Sequence, residues 1–233
     1  NARIHYELGN AYFDAQRYPE ALESYETSVN LDGNAADALT NLGLTQRVLG
    51  DLGAAINSYE RALAIEPDDV VTLQNLVVAL QAEGRVAEAV GPLARLIMLD
   101  PSDVGMMADY AATLEALDRF EDASRVYTEV IKKRPDDMNM HYALGRCYFE
   151  LERWADAIGA WRTVVAFDRD FGQAYSGLAA AYFETGDYDR AWLAVRDCQR
   201  LGAYTDPALI SKLQEASGKL GPELSGFDVI MRR

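Results

Sequence analysis

Residues 58–69 read "SYERALAIEPDD". Thirty-four places earlier the chain reads "SYETSVNLDGNA" (24–35), and thirty-four later "PLARLIMLDPSD" (92–103), then "VYTEVIKKRPDD" (126–137). A phrase that returns at one fixed interval marks a structural unit used again and again. Alanine anchors it at Ala21, Ala55, Ala89, Ala123, Ala157 and Ala191, with no insertion or deletion between them. A small-residue series, Gly9, Gly43, Val77, Ala111, Gly145 and Ala179, keeps the same spacing. Four places after each alanine stands a bulky residue: Tyr25, Tyr59, Leu93, Tyr127, Trp161 and Val195.

Each unit reads as two helices. In the second unit, "ADALTNLGLTQRVL" (36–49) carries apolar residues three and four apart, the spacing of one helix face. "GD" at 50–51 breaks it, and "AAINSYERALAI" (54–65) forms the second helix. Pro67, Pro101 and Pro135 close three units, since proline lacks the donor that would continue a helix. The acids after Pro67 stand at the start of the next helix, where the macrodipole favours negative charge. Small residues let the paired helices approach, and the bulky residue fills the space beside them.

This pattern resembles the tetratricopeptide repeat (TPR), and the resemblance covers residues 2–205 in six units: 2–35, 36–69, 70–103, 104–137, 138–171 and 172–205. It implies an all-α fold, a right-handed α-solenoid superhelix of antiparallel helix pairs. One repeat cannot bury its apolar face alone, so the last needs a lid. Residues 206–217 supply one, with Asp206 as N-cap, Pro207 at the first helical position, and Leu209, Ile210 and Leu213 on one face. Residues 218–233 form a partly apolar tail, in which Phe227–Met231 is expected to dock on the array or on a second molecule.

The chain has 233 residues, 37 acids against 22 bases, and a net charge of −15. Such a surface repels phosphate backbones and anionic membranes, so nucleic acid is not an expected partner. No apolar run is long enough to insert in a membrane. Arginine far outnumbers lysine, which points to a GC-rich bacterial genome. Cys147 and Cys198 fall at apolar-periodic positions and read as buried thiols. Asn1 opens the chain without a leader, so an upstream segment or a removed signal is left open. The cytoplasm is the first reading of compartment, with the periplasm the second if a leader preceded Asn1.

No phosphate loop, nucleophile elbow, metal-spaced cysteine pair or dinucleotide glycine pattern is present, and no cofactor is expected. His5 and His141 occupy the same place four repeats apart, too far to share a metal or a proton. Binding chemistry is therefore sought on the first helix of each pair, which lines the concave side in the family the chain resembles. The positions this implies are Tyr6, Asn10, Thr40, Asn41, Leu44, Arg47, Val48, Val71, Gln74, Asn75, Val78, Ala108, Asp109, Ala112, Tyr142 and Arg146. Over the second to fourth repeats Leu44, Val48, Val71, Val78, Ala108 and Ala112, with Ala82, make an aliphatic strip of small side chains, where a solvated helix would carry charge. Such a strip suits an extended or helical peptide. Small residues tolerating tight curvature is the competing account.

Asn41 and Asn75, with Asp109 next in register, form a short series of side chains able to pair with peptide groups. The repeat domain of O-linked N-acetylglucosamine transferase carries a longer asparagine ladder; here Glu7, Ala143 and Gly177 interrupt it. The carboxylate clamp of chaperone-binding members is not expected. Asn10 and Asn41 match it, but Tyr6, Val71 and Asn75 replace its cations. "AYFDAQRY", "CYFELERW" and "AYFETGDY" place Phe13, Phe149 and Phe183 beside Asp14, Glu150 and Glu184, either to hold a partner's cation or to fill the core. Arg47 and Arg146 either anchor an acid on a partner or answer the chain's own carboxylates. Three functions follow: a non-catalytic adaptor (co-chaperone-like) holding a client peptide in its groove, a self-assembling scaffold using its terminal faces and tail, or a regulatory domain of a larger enzyme.

Overall fold

In a computed structural model, residues 1–219 and 221 are described. Thirteen helices follow one another among the described residues: α1 (Ala2–Asp14), α2 (Tyr18–Leu31), α3 (Ala36–Val48), α4 (Leu52–Ile65), α5 (Val70–Ala82), α6 (Val86–Leu99), α7 (Val104–Ala116), α8 (Phe120–Lys133), α9 (Met138–Glu150), α10 (Trp154–Phe167), α11 (Gly172–Glu184), α12 (Tyr188–Arg200) and α13 (Pro207–Ser217). They form two compact units, Asn1–Leu117 with α1–α7 and Asp118 onward with α8–α13. The segment Phe227–Met231, expected to dock, lies outside the described residues.

Within each unit, successive helices pack as hairpins. Ser28 Oγ near the end of α2 donates to the carbonyl of Ala2 at the start of α1, 2.9 Å away, so the two run antiparallel. The turn inside each pair places one residue in the left-handed region: Gln16, Gly50, Gly84, Asp118, Glu152 and Gly186. Three of these are glycine, which adopts that conformation without a Cβ clash. The next position starts the second helix in one of two ways. Asp51 and Asp187 accept a backbone N–H from Ala54 and Arg190. Arg17, Arg85, Arg119 and Arg153 instead pair with an acid three residues on. Between repeats, Asp69, Asp103 and Asp137 cap α5, α7 and α9; the acids after Pro67 are expected at the first of these helix starts.

The small and large series meet as the spacing implied. A Cβ on Gly9 would stand 2.6 Å from the Tyr25 ring, on Gly43 2.7 Å from Tyr59, and on Gly145 2.4 Å from Trp161 Nε1. Where the small place holds Val77 or Ala179, the large place shrinks to Leu93 or Val195, and both members lie in one buried cluster. In these two pairs a larger small-place residue is thus offset by a smaller partner. At the C-terminal end Asp206 caps α13 by accepting from Ala208 N–H. Leu213 is fully buried, with Leu209 and Ile210 packed on the same core, and Trp192 Nε1 donates to Ser217 Oγ at 3.0 Å. Cys147 and Cys198 are both buried and form no disulfide.

Candidate functional site

The sequence-predicted residues up to Ala112 all lie in the first unit, on α1, α3, α5 and α7. Tyr142 and Arg146 lie on α9 in the second.

At the α1–α3 end, the polar residues satisfy one another. Tyr25 Oη donates to Asn10 Oδ1 at 2.7 Å, and Asn41 Nδ2 donates to the same oxygen at 3.0 Å. Asn41 also reaches Tyr6 Oη at 3.4 Å. Burial, with Tyr6 and Asp14 nearby, pushes the Tyr25 phenol up to about 12, so it stays a neutral donor. Asn41 therefore ties α1 to α3 rather than standing free as a rung for a peptide. Beside it, a cleft of ≈ 460 Å³ is lined by Arg3, Tyr6, Glu7, Asp32, Asp37 and Glu66 among others, and is predominantly acidic.

Thr40 departs from the sequence expectation. It is buried, its hydroxyl 3.1 Å from the Ala36 carbonyl and 2.6 Å from Thr72 Oγ1, which in turn bonds the α5 cap Asp69. Its place lies at the seam between α3 and α5, so it offers nothing to a ligand. Repeat spacing predicts which helix a residue occupies; the packing angle decides how deep it sits.

The aliphatic strip is exposed. Val48, Val71 and Val78 are 43%, 57% and 48% accessible, Ala82 and Ala112 are open, and Leu44 and Ala108 are half-buried. Gln74 is exposed, while Asn75 is half-buried and makes no side-chain hydrogen bond among the described residues. Asp109 is exposed as a residue, yet partial burial of its carboxyl, with Asp103 adding repulsion, raises its pKa.

Arg47 is half-buried, and no carboxylate pairs with it among the described residues. Its Nε and the Tyr59 hydroxyl are both sealed from water without a hydrogen-bond partner. Burial raises the Tyr59 pKa, and the neighbouring Arg47 guanidinium, as donor and as cation, opposes that rise without forming a hydrogen bond of normal geometry. The Tyr25 and Tyr59 hydroxyls escaped the sequence reading because they sit on second helices, at positions assigned to packing. Setting the repeats side by side finds them: Tyr25 has Asn10 in its register, whereas Tyr59 has Leu44.

In the second unit Phe149 and Phe183 pack against the core, while Glu150 and Glu184 are exposed. Phe149 packs edge-on to Trp154 and tilts against Trp161; Phe183 tilts against Tyr188. Phe13 packs edge-on to Tyr18 in the first unit. The cations over Tyr12, Tyr148 and Tyr182 are the chain's own Arg17, Arg153 and Arg190, 4.4–5.0 Å from the ring centres. Tyr142 packs on Phe171, and its carbonyl accepts from Trp161 Nε1. Arg146 is exposed. Among the described residues, no three His, Cys, Asp or Glu side chains are placed to hold a metal, and no helix is long and apolar enough to cross a membrane.

Profiles of the tetratricopeptide repeat match residues 1–68, 49–112, 111–170 and 149–202. No curated protein matches the chain in sequence. Among solved structures, YrrB, described as a TPR protein with an unusual peptide-binding site, aligns at TM-score 0.65 and 13% identity over 85% of this chain and 100% of that one. A MamA crystal structure aligns at 0.60 and 21% over 80% and 94%. MamA 41-end from Desulfovibrio magneticus RS-1 aligns at 0.60 and 20% over 72% and 93%.

Proposed function

The chain belongs to the tetratricopeptide repeat family, whose arrays are protein–protein interaction modules, and from that premise we propose that its first unit is a non-catalytic binding surface for an apolar client peptide. One observation carries this reading: Val48, Val71 and Val78 stand about half exposed on neighbouring first helices, where solvation alone would select charge. YrrB, which shares the fold and is described as having a peptide-binding site, supports it. The α3–α5 seam beneath the strip is fixed by Thr40 and Thr72, so the surface is preformed.

Panning a random peptide library against the protein tests the proposal, with Val71→Glu/Val78→Glu as control. Both positions are exposed, so the variant folds, whereas replacing Asn41 would also break the Asn10 network. Peptides enriched by the parent and lost in the variant support the strip. Enrichment indifferent to the variant moves the site elsewhere, and no enrichment ends the reading.

A second reading, the self-assembling scaffold, rests on α1. Ile4 and Leu8 are 65% and 41% exposed, whereas Ala38, Leu42, Leu76, Ala174 and Leu178 at the same repeat positions are buried. Light scattering on Ile4→Glu/Leu8→Glu separates the two readings: loss of oligomer with peptide binding retained assigns α1 to self-association.

A further inference from the structure

The first two repeats solve one structural problem differently. In the first, Asn10 Oδ1 is an acceptor shared by the Tyr25 hydroxyl and the carboxamide of the next repeat, Asn41. In the second, thirty-four residues on, the donors recur as Tyr59 and Asn75, but Leu44 stands where Asn10 did. The acceptor is gone. Tyr59, whose side chain has no solvent exposure, is left with an unpartnered hydroxyl. A third donor has been added at the same level: Arg47 replaces Phe13, and its Nε is also sealed without a partner.

We propose that this cluster receives the carboxylate of an acidic side chain, Asp or Glu, within an otherwise aliphatic client peptide. The inference rests on the client-binding reading above and specifies the client. A charged rather than a neutral acceptor is required because the guanidinium is a permanent cation, and no carboxylate of the protein answers it among the described residues. The neighbourhood fixes the rest of the ligand. Val48 follows Arg47 on α3, while Val71 and Val78 flank Asn75 on α5, so the residues beside the acid must be apolar. Nε and Tyr59 Oη are covered in the free protein while Arg47 as a whole is only half-buried. The acid therefore lands on the outer guanidinium, and the turn of Arg47 that presents Nε to it uncovers the Tyr59 hydroxyl for the same oxygens. In an otherwise acidic protein, the Arg47 cation is what draws the acid of such a peptide to this point.

The test extends the library experiment with two variants, Arg47→Met and Leu44→Asn, panned beside the parent. Arg47→Met keeps the aliphatic stem; Leu44→Asn restores the internal acceptor that the first repeat has. The parent should enrich peptides with Asp or Glu at one fixed place among aliphatic residues. For the strongest of these, changing that acid to its amide should weaken binding about tenfold on the parent, the worth of one charge-assisted bond. On Arg47→Met, acid and amide should bind within about twofold of each other. Leu44→Asn should narrow the difference in the same way and raise the melting temperature. Apolar peptides enriched without an acidic place, or an acid preference that persists on Arg47→Met, overturn the carboxylate site and leave the aliphatic strip standing. No enrichment by the parent overturns both.

Discussion

Asn10 decides whether a buried tyrosine is a satisfied donor or an orphan. Tyr25→Phe removes a bond to Asn10 and should cost about 1 kcal/mol in urea unfolding, whereas Tyr59→Phe removes a hydroxyl that has no partner and should be neutral or stabilising. Equal losses would show that Tyr59 is paired in solution. Packing at the small places is equally local. Trp161 lies between Gly145 and Gly177, where an added Cβ would come within 2.4 and 2.8 Å of the indole. Alanine in a helix gains about 1 kcal/mol over glycine, but overpacking a rigid buried ring costs about 1–3, so Gly145→Ala should lower stability on balance. An unchanged melting temperature would mean that the indole moves aside. Gly177 also explains why the asparagine series stops short of the sixth repeat: a side chain there would strike Trp161. Asp109 gives the pH dependence. Its pKa is raised, so the folded state disfavours the ionised form, and the penalty grows as pH rises through the ordinary value of 3.8 and is complete above the raised one. Asp109→Asn should therefore raise the melting temperature near neutrality, with the gain vanishing once pH falls below that ordinary value.

The helix-pair turn admits one conformation and several residues. Gln16 and Glu152 hold φ of 57° at a place where Gly50, Gly84 and Gly186 hold 75–89°. A non-glycine residue in the left-handed region carries roughly 1 kcal/mol of strain, against which glycine's extra freedom in the unfolded chain must be set. Glu152→Gly should gain a few tenths to 1 kcal/mol, read from the midpoint of chemical unfolding. At the adjoining helix start, aspartate caps the backbone and arginine reaches forward to an acid. Asp51→Ala should then lose about 1 kcal/mol of cap energy, because alanine cannot accept the Ala54 N–H.

In a repeat array each unit is stabilised chiefly by its neighbours, so damage stays near its origin. Leu213 on α13 has no solvent exposure and shares a core with Val195, Ala191 and Leu178. Leu213→Ala should cost roughly 2–4 kcal/mol there. Faster amide exchange in α11–α13, with α1–α5 unaltered, is the expected pattern; uniform acceleration would mean that the chain unfolds as one cooperative body. The net charge of −15 works at this scale too, since a surface of that sign repels a phosphate backbone.

The repeat period, the two helices per unit, the cap at Asp206 and the small-to-large pairing were all legible in the order of residues. They depend on contacts only a few turns apart, repeated in register, and periodicity records such contacts directly. The exposed valines were legible for the same reason: a residue's place in the repeat tells which helix face it takes. Depth and partnership were not. Thr40 and Asn41 have adjacent places on one predicted face, yet one is sealed against Thr72 and the other spends its donor on Asn10. Phe149 and Phe183 read equally well as cation holders or as core, and their ring partners decided for core. Tyr59 became a candidate only when its hydroxyl was found buried beside Arg47 without an acceptor. Hydrogen bonding across helices is set by side-chain reach and interaxial distance, quantities that a one-dimensional pattern does not contain and that the packed structure alone supplies.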